Sequence, residues 1–540
     1  MKTLKRLAIL VGATATAFGQ DAPGQEPDLT LSAAGAMPLA AEGDPQLHTF
    51  VIPVGGEEAR YVEKLQLRPG SIGYVRHAVI RMDSSLESQR RDSKTQEAGF
   101  PGRPLYNSVR QPHGLFAVWT PKAQVSVAPE GASWRIHPHS DLVVTLHLFP
   151  DGMEHSIQPK LDLWFADEPG RQQLLSARLA NETLDLAPDQ KRAMSDTLAI
   201  PAPVWVSGYY VNANRLGDGY RVEYATPVAT PPSEEDEEDE KQRIYGMGAR
   251  LGRGTEWKPA SAKHQFTALA GRVRVPAMTR FDIQIDFANT EENAGRAPIQ
   301  TEWGSRASDE IAEVYLQLIA HNEPTAIIVG RAIAIHQLGL AIEAAEKRLQ
   351  DDPENSKAHA ELAYLYADIG GGETAVSHGR KAVSLRPEDS NAHAALAAAY
   401  LASGFQFSAQ EHAEKAIDLD QSNANAWFNL GNVFLHYEIP VRARNCYQNA
   451  ADLEPRDTRF LNNLATMLID AKEHEEARQL LEKTLLIDPL HARANANMAR
   501  IYEATFEPQK AIESYKRALD LAPELAATFG PRLEKLTGKR

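Results

Sequence analysis

The chain has 540 residues, of which 43% are hydrophobic, so it contains apolar material for about three ordinary domains. Its formal net charge of −15 at pH 7 argues against a nucleic-acid partner and against an anionic membrane surface. Its single cysteine, Cys446, excludes an intramolecular disulfide and a CxxCH haem site.

The first residues have the features of an export signal. MKTLKR is a basic segment, LAILVGATATAF is a short apolar segment, and in Ala17-Phe18-Gly19 the alanine and the glycine provide small residues at a cleavage position. The apolar run is too short for a bilayer, and no later stretch reaches the length that a membrane span requires. We therefore expect a signal peptide over residues 1–19 and a periplasmic or secreted protein.

A β-rich region is predicted after a linker. Residues 20–44 are rich in Gly, Pro and Ala, which is typical of a linker. From about 45 to 320, apolar runs such as YVRHAVIRM, DLVVTLHLF and RFDIQIDFA alternate with Gly, Pro and Asp breaks. This texture indicates antiparallel β-sandwiches.

An acidic run, SEEDEEDE at 233–240, interrupts this region. We interpret it as a solvated loop within a domain. A calcium-binding loop is the alternative, although the run lacks the glycine-punctuated ligand spacing of such loops.

Three segments of the β region, in order along the chain, resemble a known family. They are FVIPVGGEEARYVEKLQLRPGSIGYVRHAVIRMD, APEGASWRIHPHSDLVVTLHLFPDG and RVRVPAMTRFDIQIDFANTEENAG. They are similar to the copper type II, ascorbate-dependent monooxygenases, the family of peptidylglycine α-hydroxylating monooxygenase and dopamine β-hydroxylase. The resemblance implies two jelly-roll-like sandwiches, at 45–190 and 195–320. In the family each carries one copper, and electrons pass between them to hydroxylate an aliphatic carbon.

This sequence departs from the family at the copper ligands. By the resemblance, the ligand positions of the first copper are Arg76, His77 and His147, and those of the second are Met247, Ala249 and Ile311. Two histidines beside a fixed guanidinium would hold copper weakly, and one thioether does not hold a metal against water. We therefore predict an inactive monooxygenase-like fold with no cofactor. Copper bound by His77 and His147 is the alternative to their being structural histidines.

Two further histidines form the segment HPHS. His137 and His139 are two residues apart, a spacing that on a strand places both rings on one face and can contribute to a metal site. The proline between them disfavours a regular strand. No third ligand can be assigned by spacing, and His113 in QPHGLF is the other histidine of this part of the sequence.

Helical periodicity begins with DEIAEVYLQLIAH at 309–321 and continues in AIHQLGLAIEAAEKRLQ. Ala341 and Pro353 of this stretch are in register with the repeats that follow. We expect an incomplete or capping repeat over 322–355 and a capping helix over 526–540.

Residues 356–525 repeat with a period of 34, five times. The clearest copy contains Trp427, Leu430, Gly431, Phe434, Ala443, Tyr447, Ala450 and Pro455. These residues resemble the W, L, G, Y, A, F, A and P positions of tetratricopeptide (TPR) repeats. The alanine recurs at Ala375, Ala409, Ala477 and Ala511, where paired helices touch. The sequence therefore predicts a helical solenoid with a concave binding groove.

Asparagines recur at one repeat position within this groove. Asn429, Asn463 and Asn497 are 34 residues apart, and they resemble the asparagine ladders of repeat proteins that hold extended peptides. A carboxamide both donates and accepts, so it can pair with a peptide backbone of any sequence. The predicted groove residues are Asn425, Phe428, Asn429, Asn432, Asn463, Asn497 and Arg500. The alternative is that these asparagines are only solvated surface.

Taken together, these patterns predict two jelly-roll-like antiparallel β-sandwiches followed by an all-α TPR solenoid. The expected function is an exported scaffold that binds a protein or peptide partner, carried on an inactive monooxygenase-like module. The alternative is a copper oxidoreductase with unusual ligation that docks its substrate through the repeats. Catalytic signatures such as G-x-S-x-G, H-E-x-x-H, the P-loop and the Rossmann fingerprint are absent from the sequence.

Overall fold

The computed structural model describes residues 26–538 except 44, 57, 71–72, 85–86, 103–114, 122–124, 169, 171, 214–215, 228–247, 255–266, 292–297, 299 and 303–311. The strands among these residues are β1 (Leu29–Ser32), β2 (Met37–Leu39), β3 (Gln46–Pro53), β4 (Arg60–Arg68), β5 (Val75–Asp83), β6 (Phe100–Pro101), β7 (Leu115–Trp119), β8 (Val125–Val127), β9 (Ala132–Ile136), β10 (Asp141–Leu148), β11 (His155–Ile157), β12 (Lys160–Phe165), β13 (Gln172–Ala180), β14 (Asp185–Leu186), β15 (Lys191–Ile200), β16 (Val204–Asn212), β17 (Gly217–Ala225), β18 (Ala249–Gly254), β19 (Thr267–Val275), β20 (Thr279–Ala288), β21 (Thr301–Glu302) and β22 (Glu313–Ala320). The region before the solenoid is thus β-rich, as predicted.

The strands form two units, each with its own hydrophobic core. In the first unit, β1-β12-β4-β9 faces the five-stranded sheet β6-β3-β10-β5-β7, and Phe50, Ile80 and Leu163 are among the residues buried between them. In the second unit, β13-β22-β16-β19 faces β15-β20-β17-β18 around Leu316, Phe281 and other buried residues. Alternate residues of each strand face the core, which is the packing of stacked antiparallel sheets. A jelly-roll connectivity within these units stays a prediction.

One sheet runs through both units. Strands β9 and β13 pair in parallel over two residues each, and this joins the two four-stranded halves edge to edge. The predicted boundary near 190–195 is wrong, because β13 pairs along its length with β22 and buries Leu175 and Leu179 in the second core. The change of unit therefore lies between β12, which ends at Phe165, and β13, which begins at Gln172.

Two stretches differ from the sequence prediction. Residues 29–39 were predicted as linker but contain β1 and β2, which pair with β12 and β11. Residues 313–320 were predicted as helical but form β22, in the middle of the shared sheet. Seven of these eight residues are buried, because β22 packs on both faces, and a strand of that kind has no alternation to distinguish it from a buried helix.

The first helix, α1 (Glu87–Asp92), is short, and the others follow β22. They are α2 (Glu323–Asp351), α3 (Ser356–Asp368), α4 (Gly372–Leu385), α5 (Ser390–Ala402), α6 (Gln406–Leu419), α7 (Ala424–His436), α8 (Pro440–Leu453), α9 (Thr458–Asp470), α10 (His474–Ile487), α11 (Ala492–Ala504), α12 (Pro508–Leu521) and α13 (Ala526–Thr537), with a 3-10 turn at Pro523–Leu525. The pairs α3–α4 to α11–α12 are five helical hairpins, which confirms the predicted helical solenoid.

Small residues set the spacing of these helices. The recurring alanines Ala375, Ala409, Ala443, Ala477 and Ala511 are all fully buried. Asx caps begin several first helices: the Asn423 side chain accepts from the Ala426 N–H at 3.1 Å, in the first turn of α7, where amides have no partner four residues earlier within the helix. Each hairpin of the solenoid is thus determined by small residues and helix caps that recur in the repeats.

The long helix α2 joins the two parts of the molecule. Ala326, Val329 and Ile333 belong to the core of the second β unit, whereas Ala341 and Ala345 pack with Leu362 and Leu365 of α3. By length and composition α2 could cross a membrane, whereas no stretch of that length was expected from the sequence after the first residues. Core helices pass the same test, so this is weak evidence for a span. That its second half is an incomplete repeat stays a prediction.

The solenoid also returns to the β region. Arg90 of α1 pairs with Glu454, and Nδ1 of His137 donates to the carbonyl of Leu486 at 3.2 Å. Further on, Arg517 of α12 pairs with Glu323 at the start of α2 at 2.5 Å. Residues in or just after the second helices of the third, fourth and fifth repeats therefore contact the chain's own β region and α2.

Candidate partner-binding surface and histidine positions

Each asparagine of the predicted ladder donates a hydrogen bond to the preceding repeat. Nδ2 of Asn429 donates to the Ala394 carbonyl of the preceding repeat at 2.9 Å. Nδ2 of Asn497 donates to Oδ1 of Asn462 at 3.0 Å and to Oγ1 of Thr466 at 2.9 Å. The role of these positions in a partner-binding groove stays a prediction.

The exposure of the ladder differs from the expectation of a line of free carboxamides. Asn429 and Asn497 are each 4% exposed, so their N–H groups are used to hold adjacent first helices together. Asn463 is only partly buried, and its Nδ2 lies 3.4 Å from Oδ1 of Asn432. Of the three ladder positions, Asn463 is therefore the one with a side chain accessible to a partner.

Other predicted groove residues lie around Asn463. Oδ1 of Asn432 accepts from the Tyr447 hydroxyl at 2.7 Å, and Oδ1 of Asn425 accepts from Arg459 at 3.1 Å. Both asparagines are partly exposed. Their oxygens are held in position by neighbours, which preorganises them for further hydrogen bonds.

An aromatic and cationic cluster borders the asparagines. The Phe428 ring lies 4.9 Å from the Phe460 ring, centroid to centroid, and the Arg459 guanidinium is 5.7 Å above Phe428. On the other side, Arg500 donates to Oδ1 of Asn497 at 3.3 Å and pairs with Asp470. The sequence prediction missed Arg459, Asn462 and Asp470, although Arg459 could have been found because it is 34 residues after Asn425.

The two histidines of the first predicted copper position are neighbours. His77 on β5 and His147 on β10 are directly opposite in the antiparallel register, and their ring centroids are 5.1 Å apart in an edge-to-face arrangement. Both side chains are buried, at 4% and 3% exposure. The expected juxtaposition is therefore present, whereas the metal role of these residues stays a prediction.

The surroundings of this pair do not fit the three-ligand copper centre that the resemblance implies. Arg76 occupies the position of the third ligand and lies 5.1 Å from the Phe149 ring, and a guanidinium cannot ligate a cation. Within the described residues, no group of three or more His, Cys, Asp and Glu side chains is arranged to hold a metal. Two imidazoles alone make a weak, open site.

The other predicted metal positions are largely separate. His137 is buried against the solenoid, whereas His139 is exposed with a left-handed φ of 55°. A turn therefore separates the two side chains, which do not share a strand face. Ala249 lies exposed at the start of β18, and Met247, Ile311, His113 and the acidic run 233–240 lie outside the described residues.

The fold and these surfaces define a tetratricopeptide-repeat solenoid joined to a β-rich region. Residues 458–524, which comprise the hairpins α9–α10 and α11–α12, match the tetratricopeptide repeat family model. No curated protein matches the chain. Repeats of this kind serve protein–protein interaction and scaffolding.

Several solved structures are similar to the solenoid. YrrB, described as a TPR protein with an unusual peptide-binding site, is 24% identical over 35% of this chain and 98% of that chain, with a TM-score of 0.27. Pseudomonas aeruginosa PilF is 25% identical over 34% of this chain and 85% of that chain, with a TM-score of 0.30. The APC/C hetero-tetramer Cut9–Hcn1 is 21% identical over 39% of this chain and 42% of that chain, with a TM-score of 0.34.

Proposed function

We propose that this protein is an exported scaffold that binds an extended peptide or a protein segment on its solenoid. The binding surface in this proposal comprises Asn425, Phe428, Asn432, Asn463 and Arg500. The β region carries the solenoid and is inactive as an oxidoreductase. Export rests on the features of residues 1–19, and the TPR repeats support the interaction role.

One observation carries the proposal: a partly exposed carboxamide lies in the middle of a preorganised polar network. Asn463 is held by Asn432 on one side and by the Nδ2 of Asn462 at 3.3 Å on the other. An extended peptide laid along this line could pair its backbone with Asn463 and place an apolar side chain on Phe428. Such recognition gives affinity with little sequence preference.

The test compares two carboxamide deletions in the same part of the solenoid. Asn463→Ala removes the accessible carboxamide, while Gln448→Ala removes an exposed one from the second-helix layer, where it bonds Asp452 at 2.8 Å. The full chain is titrated against a pool of unstructured peptides, and binding is followed by fluorescence anisotropy. One backbone hydrogen bond contributes about 1 kcal/mol, so we expect Asn463→Ala to weaken binding roughly fivefold.

Gln448→Ala should leave the affinity unchanged. If wild-type protein and Asn463→Ala bind the pool equally, the asparagines serve only to join the repeats. Thermal melts of both variants distinguish lost binding from lost folding.

A second candidate, a copper oxidoreductase with unusual ligation, is favoured by the contact between His77 and His147. Arg76 argues against it, since a fixed positive charge beside the site disfavours the higher oxidation state of the metal. Metal content decides between the two functions, as set out below.

A further inference from the structure

The first two repeats contain a histidine pair at the same positions. Nδ1 of His359 on α3 lies 2.9 Å from Nδ1 of His378 on α4. In the next repeat, Nδ1 of His393 on α5 lies 2.9 Å from Nδ1 of His412 on α6. Both residues recur after 34 positions, so each pair joins the two helices of its own hairpin.

In each pair, the Nε2 atom of the first histidine determines which ring nitrogens carry a proton. Nε2 of His359 is 3.2 Å from the Pro353 carbonyl, and Nε2 of His393 is 2.9 Å from the Pro387 carbonyl. A carbonyl can only accept, so each of these nitrogens carries the proton and the Nδ1 of the same neutral ring is an acceptor. The partner histidine must then donate from its own Nδ1. Each neutral pair therefore shares one N–H···N hydrogen bond.

The geometry favours a shared proton over a metal ion. The ring centroids of each pair are 5.1 Å apart, which places the two Nδ1 atoms head to head. Imidazole nitrogens bind zinc at about 2.0–2.1 Å in a tetrahedral arrangement, which separates two ligand nitrogens by about 3.3 Å. The observed 2.9 Å is instead the length of a direct hydrogen bond.

Each second histidine is also held by a tyrosine. Tyr366 stacks on His378 with centroids 5.8 Å apart, and its hydroxyl donates to Glu346 of α2 at 2.6 Å. Tyr400 stacks on His412 with centroids 5.7 Å apart. The rings are thereby fixed in the orientation that the shared hydrogen bond requires.

The surroundings resist full protonation of the pairs. Burial lowers the pKa of His378, and the neighbouring His359 lowers it further, whereas Glu346 acts in the opposite direction. Burial likewise lowers the pKa of His412. For that ring, His393 and Arg380 add to the lowering and Glu411 opposes it.

We propose that the N–H···N hydrogen bond within each histidine pair stabilises the first two helical hairpins near neutral pH. In acid this bond is lost and the two hairpins are destabilised. When both rings of a pair are protonated, two N–H donors face each other and the bond is lost. A histidine with a lowered folded pKa stabilises the fold fully above the unfolded value of about 6.5, and this contribution is lost as pH falls below it.

Later repeats have residues other than histidine at the positions of the histidine pairs. At the positions of the pairs, the third repeat has Trp427 and Cys446, and Nε1 of Trp427 donates to the Gln421 carbonyl at 2.9 Å without a titrating group. The fourth repeat has Leu461 and Leu480 there. A variant with His359, His378, His393 and His412 all replaced by Leu therefore gives the first two repeats the residues of the fourth.

The test is hydrogen–deuterium exchange of the full chain at pH 7.5 and pH 5, corrected for the intrinsic exchange rate. In wild-type protein we expect the protection of backbone amides in residues 356–419 to fall in acid relative to residues 458–521. For each histidine pair, the fall should be up to about tenfold for every pH unit below 6.5. The fourfold Leu variant should lose this difference, while His436→Gln, which changes an exposed histidine of α7, should retain it. If the Leu variant does not fold, the His378→Gln and His412→Gln double variant keeps a donor without titrating and should show the same loss of pH dependence.

Two results would overturn the proposal. One is an equal acid effect in wild-type protein and in the variants that replace the paired histidines. The other is stoichiometric binding of Zn²⁺ or Cu²⁺ alone at pH 7.5 that the fourfold variant loses, which would make the pairs metal sites.

Discussion

At the residue scale, Gly431 and Tyr447 pack closely within one hairpin of the solenoid. A Cβ placed on Gly431 would lie 2.6 Å from the Tyr447 ring, and Tyr447 is fully buried and cannot move aside cheaply. A glycine is needed here because of space, since no positive φ is involved. An added methyl group at position 431 would therefore overlap the Tyr447 ring within the hairpin α7–α8.

We therefore expect Gly431→Ala to lower the free energy of unfolding by about 1–3 kcal/mol through overpacking. Gly339→Ala is the matched control, because that glycine lies within α2 with no atom within 4 Å of the added Cβ. It should be neutral or stabilise by up to about 1 kcal/mol through helix propensity. Urea unfolding measures both variants, and an equal effect of the two would mean that the contact with Tyr447 is unimportant.

At the scale of elements, the contact between the solenoid and β10 contains a buried acid. Oδ2 of Asp141 lies 3.9 Å from Arg456, in the turn after α8, and its Oδ1 accepts from Gln89 of α1 at 2.9 Å. Burial raises the pKa of Asp141 to about 6, although Arg456 and Gln89 both act to lower it. The contact between the solenoid and β10 therefore includes a carboxyl group whose ionised form is disfavoured by burial.

A folded pKa above the unfolded one stabilises the protein at low pH, and this contribution is lost as pH rises through about 6. The loss in wild-type protein between pH 4 and pH 7.5 should amount to about 3 kcal/mol. Asp141→Asn cannot ionise, so its unfolding free energy should lack this component. Urea unfolding at both pH values checks this, with Asp418→Asn, an exposed position of α6, as control. A wild-type pH profile in Asp141→Asn would contradict the expectation.

At the scale of the whole molecule, two stacked-sheet units share one sheet, and the solenoid is tied back to them. Val79 and Val118 of the first unit pack with Tyr210 and Tyr315 of the second, and Arg81 donates to the Tyr315 hydroxyl at 2.9 Å. Glu313 then joins Tyr315 to Arg178, with all of these side chains buried. The two units are thus joined by a buried polar network as well as by strand pairing.

Copper content tests the proposal that the β region is inactive. Protein produced in copper-replete cells and measured by elemental analysis should contain far less than one copper per chain, because Arg76 stands at a ligand position implied by the family resemblance and a guanidinium cannot ligate a cation. Replacing Arg76 by His restores the ligand type of the family position, so this variant should bind more copper than wild type. Stoichiometric copper in wild-type protein that His147→Ala abolishes would instead support the oxidoreductase.

Export is tested by N-terminal sequencing of the secreted or periplasmic protein. We expect the mature chain to begin at about Gln20, because small residues precede that position. Replacing Leu7 and Leu10 by Arg breaks the apolar segment and should leave uncleaved precursor inside the cell. An uncleaved wild-type chain would refute the signal peptide.

The sequence by itself determined the solenoid, because each hairpin depends on residues close in the chain and the same local rule recurs five times. It also identified the register of Asn429, Asn463 and Asn497, and, through a family resemblance, the contact between His77 and His147. The tertiary structure alone decided which asparagines are buried, because burial depends on neighbouring repeats. It likewise decided that 313–320 is a central strand and that β13 belongs to the second unit, since strand pairing joins residues far apart in the chain and a run buried on both faces has no periodicity to reveal it.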